Sequence, residues 1–85
     1  MKLLRLASDV HKTVKYFGIT LTVPATSRFI ATDSDGRVYW YRAKPKQSVT
    51  LEGIWENTTT KRNDCGLIGY VDLEGKSWTK TLKEL

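Results

Sequence analysis

Apolar residues recur every three or four positions near the start of the chain. These positions are Leu3, Leu6 or Ala7, Val10, Val14 and Phe17. Steps of three and four place side chains on one face of a helix, so the pattern predicts an amphipathic helix over residues 3–17. Ser8 suits the N-cap of this helix and Gly18 the position after its C-terminus. The leucines before Ser8 also suit an extended lead-in, and the β-branched residues lower the helix propensity.

The hydrophobic period then changes from helical to alternating. Apolar and hydroxyl residues alternate over residues 19–23, which predicts a half-buried strand that ends at Pro24. Two further β-favouring runs, residues 28–32 and 37–42, flank the turn sequence Asp-Ser-Asp-Gly at 33–36. This arrangement predicts a β-hairpin.

The turn also predicts how the two strands of the hairpin are paired. Gly36 suits the left-handed conformation that follows a type I turn and forms a bulge. The resulting register sets Ile30 opposite Trp40 and Phe29 opposite Tyr41. Alternation then gives the hairpin two faces, one carrying Ile30, Val38 and Trp40 and the other carrying Phe29, Arg37, Tyr39 and Tyr41. We expect the first face to lie against the core.

The second half of the chain predicts more sheet. Residues 49–55 favour a strand bent at its glycine, residues 56–64 a polar loop, and residues 67–71 another strand. Residues 77–85 combine helical spacing of apolar positions with β-favouring threonines, and we favour a short helix. The predicted fold is a single α+β domain over all 85 residues, a small and mainly antiparallel sheet with an N-terminal and a short C-terminal helix.

Size and charge narrow the function classes. A chain of 85 residues is too short for an enzyme with its own cofactor-binding domain. The net charge is +5, and residues 1–43 contribute most of it, with seven basic and three acidic residues. Such a charge suits either simple solubility or an acidic partner, which is nucleic acid or an acidic protein surface.

Cysteine content and hydropathy indicate the cellular compartment in which we expect the protein. Cys65 is the single cysteine and has no internal disulfide partner, which favours a reducing, intracellular setting. No stretch approaches the roughly 20 apolar residues that a bilayer-spanning helix needs. We therefore expect a cytoplasmic protein that makes no membrane contact.

The sequence offers no residue set for metal, cofactor or catalysis. His11 and Cys65 are single and far apart, so zinc-ligand spacing is absent. Ser8 and His11 share a helical face near Asp9, but capping and solvation explain them better than a catalytic triad. The glycines form no phosphate-binding fingerprint. We expect no metal, no cofactor and no enzymatic activity.

One face of the predicted hairpin is a candidate binding surface. Tyr39 and Tyr41 share it with Arg37, and Phe29 lies on the neighbouring strand. Tyr and Arg are enriched at protein-binding hot spots, and aromatic and basic side chains on a sheet also hold single-stranded nucleic acid. The competing interpretation is that the C-terminal segment covers this face. The full candidate set is Arg37, Tyr39, Tyr41, Phe29, Arg28, Lys61 and Arg62.

Several local motifs together resemble a group of known proteins. They are the hairpin sequence over residues 28–41, Lys44-Pro45, Gly53-Ile54-Trp55, and Trp78 with Leu82. This combination resembles small uncharacterised accessory proteins of tailed bacteriophages and prophages, over about two thirds of the chain. The resemblance implies a protein that acts on a host component in the host cytoplasm. Such proteins are commonly stoichiometric inhibitors or adaptors, including blockers of host transcription or of defence systems such as CRISPR.

The leading hypothesis is therefore a non-enzymatic, phage-type binding protein. It would modulate or inhibit a host or defence-system protein, or that protein's nucleic-acid complex, by stoichiometric contact. One alternative is a single-stranded nucleic-acid-binding module that uses the basic and aromatic sheet face. Another is a minor structural phage component. The sequence leaves the oligomeric state open.

Overall fold

The computed structural model describes residues 11–85, with the side chain of Arg62 left out of the description. It consists of strands and short 3-10 turns, and residues 11–85 contain no α-helix. The strands are β1 (His11–Tyr16), β2 (Ile19–Pro24), β3 (Phe29–Thr32), β4 (Arg37–Tyr41), β5 (Lys46–Gln47), β6 (Trp55–Glu56), β7 (Cys65–Tyr70) and β8 (Lys83–Glu84). The 3-10 turns are Arg62–Asp64 and Trp78–Lys80. The predicted α+β class is wrong, because the protein is mostly β and the helices that defined the class are absent from the described residues.

The predicted N-terminal helix is wrong over its described part. Residues 11–16 form β1, which pairs antiparallel with β2, and the remainder of the predicted helix lies outside the described residues. The same residues also follow the two-residue period of a strand, since Val14 and Tyr16 point inward while Thr13 and Lys15 are exposed. Alternation and β-branching favoured a strand over the weaker helical spacing. Gly18, with φ of 81°, therefore serves the β1–β2 turn rather than a helix end.

The central four-stranded sheet confirms the predicted hairpin. Its order is β7-β4-β3-β8, and every neighbouring pair is antiparallel. Ile30 pairs with Trp40 and Phe29 with Tyr41, as the turn sequence predicted. Gly36 adopts the left-handed conformation, with φ of 91°. The predicted strands at residues 19–23 and 67–71 are also confirmed, as β2 and most of β7.

Two predictions for the second half of the chain are wrong. Residues 49–55 do not form one strand, because only β5 and β6 pair and the segment between them is an exposed loop. Residues 77–85 do not form a regular helix either. A single 3-10 turn, capped by the side chain of Ser77, is followed by β8, which pairs with β3. Burial of Thr81 and partial burial of Leu82 against the sheet hold this segment extended after one turn.

Both faces of the central sheet are covered. On one face, Tyr16 and Val23 of the β1–β2 hairpin pack against Ile30 and Val38, with Trp40 partly buried beside them. The opposite face forms a second cluster. Its members are Ala31, Tyr41 and Trp55, with Phe29, Tyr39, Cys65, Trp78 and Leu82 packed around them. The sheet is therefore the middle layer between the β1–β2 hairpin and the later segments of the chain.

A buried polar network ties these layers together. The Tyr16 hydroxyl donates to the Thr81 carbonyl oxygen at 2.8 Å and lies 2.7 Å from the Thr32 hydroxyl. The Thr81 hydroxyl accepts from the Thr32 N–H at 2.9 Å. All three residues are nearly inaccessible to solvent. Buried polar groups of this kind stabilise a fold only when they are paired, and here they are.

Candidate binding surface

The predicted aromatic face is only partly available to a partner. Tyr41 is 2% exposed and Phe29 is half-buried, both in the cluster that includes Trp78 and Leu82. Burial raises the pKa of the Tyr41 phenol, which is the expected effect of a desolvated hydroxyl. Tyr41 is therefore a core residue and its assignment to a binding surface is wrong, whereas the assignment of the half-buried Phe29 stays a prediction. The physical reason is that the C-terminal segment and β6 cover this part of the sheet.

Two residues of the predicted set remain accessible on the same face. Arg37 is exposed, with its Nε 3.3 Å from an Asp35 carboxylate oxygen. Tyr39 is half-buried, and its ring centroid lies 6.4 Å from that of Tyr41. Interactions with Tyr39, Asp35 and Tyr70 raise the pKa of the Arg37 guanidinium, so it stays charged. This end of the face therefore combines a guanidinium that stays charged with aromatic rings, and it lies near one edge of the sheet.

Strand β7 forms that edge. Within residues 11–85 it pairs with β4 on one side and with no strand on the other. Its six residues, Cys-Gly-Leu-Ile-Gly-Tyr, include neither a charged residue nor a proline. Soluble proteins usually protect long edge strands with charges, prolines or a covering segment, because unpaired N–H and C=O groups attract another strand. Within residues 11–85, β7 carries no charge and no proline and pairs with no second strand, although a bulge interrupts its ladder with β4 between Val38 and Tyr39.

The ladder geometry identifies which backbone groups face outward. Arg42 N–H donates to the Asp64 carbonyl at one end of the β4–β7 ladder, and Val71 N–H donates to the Gly36 carbonyl at the other. Hydrogen-bonded and non-bonded pairs alternate along an antiparallel ladder. We followed this alternation inward from both ends of the ladder and took the register shift after Val38 into account. Three N–H groups of β7 then point away from β4. These are the N–H groups of Cys65, Leu67 and Tyr70.

Exposed side chains accompany these outward amides. Leu67 is 48% exposed and lies opposite Tyr39, and Tyr70 is 70% exposed and lies opposite Arg37. We call these four residues, together with the outward amides of β7, the β7 edge surface. Tyr and Arg are enriched at binding hot spots, because they offer rigid contact area and directional hydrogen bonds.

An apolar groove lies between β2 and β7, on the other face of the edge strand. It has a volume of about 330 Å³, and its lining includes Ile19, Leu21 and Ile68. Asp72 and Glu74 stand on its rim. A strand added to β7 would therefore place alternate side chains against the β7 edge surface and towards this groove.

The remaining predicted residues do not join this surface. Arg28 lines a separate polar cleft with Lys12 and Arg42. Lys61 is exposed next to the turn Arg62–Asp64, and its carbonyl accepts hydrogen bonds from neighbouring residues. The side chain of Arg62 lies outside the described part of the chain. Five of the seven predicted residues thus divide among a core, an edge surface and a cleft, Lys61 belongs to none of these, and the side chain of Arg62 is not described.

The groups that could ligate a metal ion and the single cysteine are a separate matter from the β7 edge surface. Among them no three His, Cys, Asp or Glu side chains are grouped as a metal would require. Burial and the neighbouring Asp64 raise the pKa of the Cys65 thiol, which keeps it protonated and weakly nucleophilic at neutral pH. No helix in this part of the protein is both long and apolar enough to cross a membrane.

Comparison of the chain with protein-family models, with curated proteins and with solved structures finds no match in any of the three. The β7 edge surface is thus defined by geometry alone. Leu67 and Tyr70 were not predicted as site residues from the sequence, because the order of the strands in the sheet becomes visible only in the structure.

Proposed function

We propose that the protein is a non-enzymatic binding module that holds an extended segment of a partner protein as an added strand along β7. One observation carries this proposal. An edge strand without charges directs the amides of Cys65, Leu67 and Tyr70 outward, and exposed apolar side chains lie beside them.

Strand addition explains how so small a domain would bind with specificity. Main-chain hydrogen bonds to the edge supply affinity that depends little on the partner's sequence, and pockets for alternate side chains supply specificity. On one face the partner's side chains would contact Leu67 and Tyr70. On the other they would enter the apolar groove between β2 and β7.

Charge adds a further preference to the partner segment. Asp72 and Glu74 on the groove rim make no ion pair with another residue of 11–85. A partner with a basic residue beside its apolar positions would neutralise these carboxylates. The expected partner segment is therefore extended, apolar at alternate positions and basic at one end.

The resemblance to phage accessory proteins suggests the class of partner. Under this proposal, the partner is a host or defence-system protein that becomes inhibited because one of its segments is held on β7 in a one-to-one complex. Stoichiometric occupation of this kind needs no catalytic group and no cofactor.

The proposal is tested by selecting ligands from a random-peptide display library on the immobilised protein. We expect the enriched peptides to share alternating apolar positions and a basic residue. Leu67→Lys places a charge on the edge and should weaken binding of these peptides by at least about tenfold, or 1.4 kcal/mol. Leu51→Lys is the matched control, since Leu51 is 59% exposed on the loop between β5 and β6.

A second variant pair examines the groove. Ile19→Ser changes a residue that lines the groove and is 43% exposed. Ile54→Ser is its control, because Ile54 is similarly exposed, at 37%, but does not line the groove. Only the first should weaken binding. Equal binding to the Leu67→Lys protein, or concentration-dependent pairing of two copies in place of peptide binding, would contradict the proposal.

A further inference from the structure

A polar cleft on another part of the surface collects basic side chains from three elements. Lys12 comes from β1, Arg28 from the segment before β3, and Arg42 from the residue after β4. Thr26 and Ser27 also line the cleft, whose volume is about 490 Å³. These cations are distant in sequence, so the fold brings them together.

Hydrogen bonds position two of the three cations. The Lys12 ammonium donates to the Ser27 carbonyl oxygen at 2.8 Å. The Arg42 Nε donates to the Thr26 hydroxyl at 3.2 Å, and Arg42 also faces an Asp64 carboxylate oxygen at 3.5 Å. Among the side chains of residues 11–85, one carboxylate thus faces the three cations, and the main chain of Leu85 also lines the cleft.

Arg28 is the cation that is left for a ligand. Its backbone is fixed, because its N–H donates to the Tyr41 carbonyl and its carbonyl accepts from Leu85. Its exposed guanidinium makes no hydrogen bond or ion pair with the side chains of residues 11–85. A guanidinium presents several N–H donors in a planar fork that matches phosphate geometry.

Ser27 supplies an independent observation at the same place. The residue is 1% exposed, and its Oγ is the one buried side-chain polar atom of the described residues that has no hydrogen-bond partner. Leaving a buried hydroxyl unpaired costs stability, so such groups in native proteins call for an explanation. An oxyanion in the cleft would provide the acceptor that this hydroxyl lacks, after rotation about the Cα–Cβ bond.

We infer that this cleft binds the phosphodiester backbone of a nucleic-acid strand. The cations are spread over three elements around an open cleft, an arrangement that suits successive phosphates of a strand better than one enclosed phosphate ion. The net charge of +5 would attract such a polyanion from a distance. The site is separate from the β7 edge surface and does not depend on it.

The inference is tested by fluorescence anisotropy with a labelled oligothymidylate of about 12 nucleotides, a length within the range that small binding domains cover. Affinity should fall as salt rises, and Arg28→Gln should reduce the salt slope by about 0.7, the value for one lost phosphate contact on a single strand. Lys46→Gln removes the same charge from an exposed position on β5 and serves as the control. It should keep the wild-type salt slope.

Ser27→Ala separates a built site from general attraction to charge. This variant should weaken oligonucleotide binding without lowering the melting temperature, because it removes a hydroxyl that is unpaired in the free protein. Equal effects of Arg28→Gln and Lys46→Gln, or wild-type affinity of Ser27→Ala, would overturn the inference. Displacement of the oligonucleotide by millimolar inorganic phosphate, or equally well by polyglutamate, would also overturn it.

Discussion

Removing one hydroxyl group from the core should destabilise the protein substantially. In Tyr16→Phe the ring remains, and only the oxygen that bonds to Thr32 and Thr81 is lost. The phenol hydrogen is donated to the Thr81 carbonyl, so the Thr32 hydroxyl donates to the phenol oxygen. The variant therefore leaves one buried donor and one buried acceptor without their partner.

The expected cost follows from these two groups. Each unsatisfied buried group costs about 1–3 kcal/mol, so the two groups together should lower the free energy of unfolding by about 2–6 kcal/mol. A domain of this size loses about 4–8 °C in melting temperature for each kcal/mol. We therefore expect Tyr16→Phe to melt at least about 8 °C below the wild type while remaining folded at room temperature.

Urea and thermal unfolding, followed by circular dichroism, measure this cost. Tyr70→Phe is the matched control because Tyr70 is 70% exposed, and it should stay within about 0.5 kcal/mol of the wild type. In a double-mutant cycle, Thr32→Val should cost less in the Tyr16→Phe background than alone, since the donor is already unpaired there. Wild-type stability of Tyr16→Phe, or strict additivity in the cycle, would refute the network.

Three further predictions concern pH and backbone conformation. Burial raises the pKa of the phenols of Tyr16 and Tyr41 above the ordinary value of 10.0. The stability that the neutral phenols provide is therefore complete below about pH 10 and should be lost as the pH rises above it. A melting temperature that is constant from about pH 9 to pH 11 would contradict this. Burial also raises the pKa of Asp33 above 3.8, so its charged form destabilises the folded protein at pH 7. Asp33→Asn should therefore melt at or above the melting temperature of the wild type at about pH 7, and the difference should vanish near about pH 3. A lower melting temperature of the variant at about pH 7 would count against this. Gly36→Ala should cost at least about 1–3 kcal/mol in urea unfolding, because φ is 91° and the new methyl group would meet a backbone carbonyl, whereas Gly69→Ala, with open space around it, should cost clearly less.

Sequence patterns predicted the parts of the fold in which one local signal dominates. The turn sequence at residues 33–36 specified both the hairpin and its register, because few connections bring two strands together with a left-handed glycine. Residues 11–17 carried two periods at once, and pairing with β2 decided in favour of the strand. The loop after β5 was misjudged, since β-favouring residues such as Val49 and Leu51 are exposed there rather than paired.

The candidate site was harder to predict, because it depends on which face the rest of the chain covers. Alternation grouped Arg37, Tyr39 and Tyr41 on one face, and the structure retains that grouping. Pattern alone does not show that Trp78 returns from the C-terminal segment to cover Tyr41. Nor does it show which strand ends as an edge, and this is why Leu67 was missed.

Amide hydrogen exchange on β7 tests the central claim most directly. In the free protein, NMR should show faster exchange for the outward amides of Leu67 and Tyr70 than for those of Gly66 and Gly69, which face β4. Adding a library-selected peptide should slow exchange at Leu67 and Tyr70 and leave Gly66 and Gly69 nearly unchanged. Outward amides that are already protected in the free protein, or protection by the peptide confined to another segment, would contradict the assignment of β7 as the edge that binds a partner.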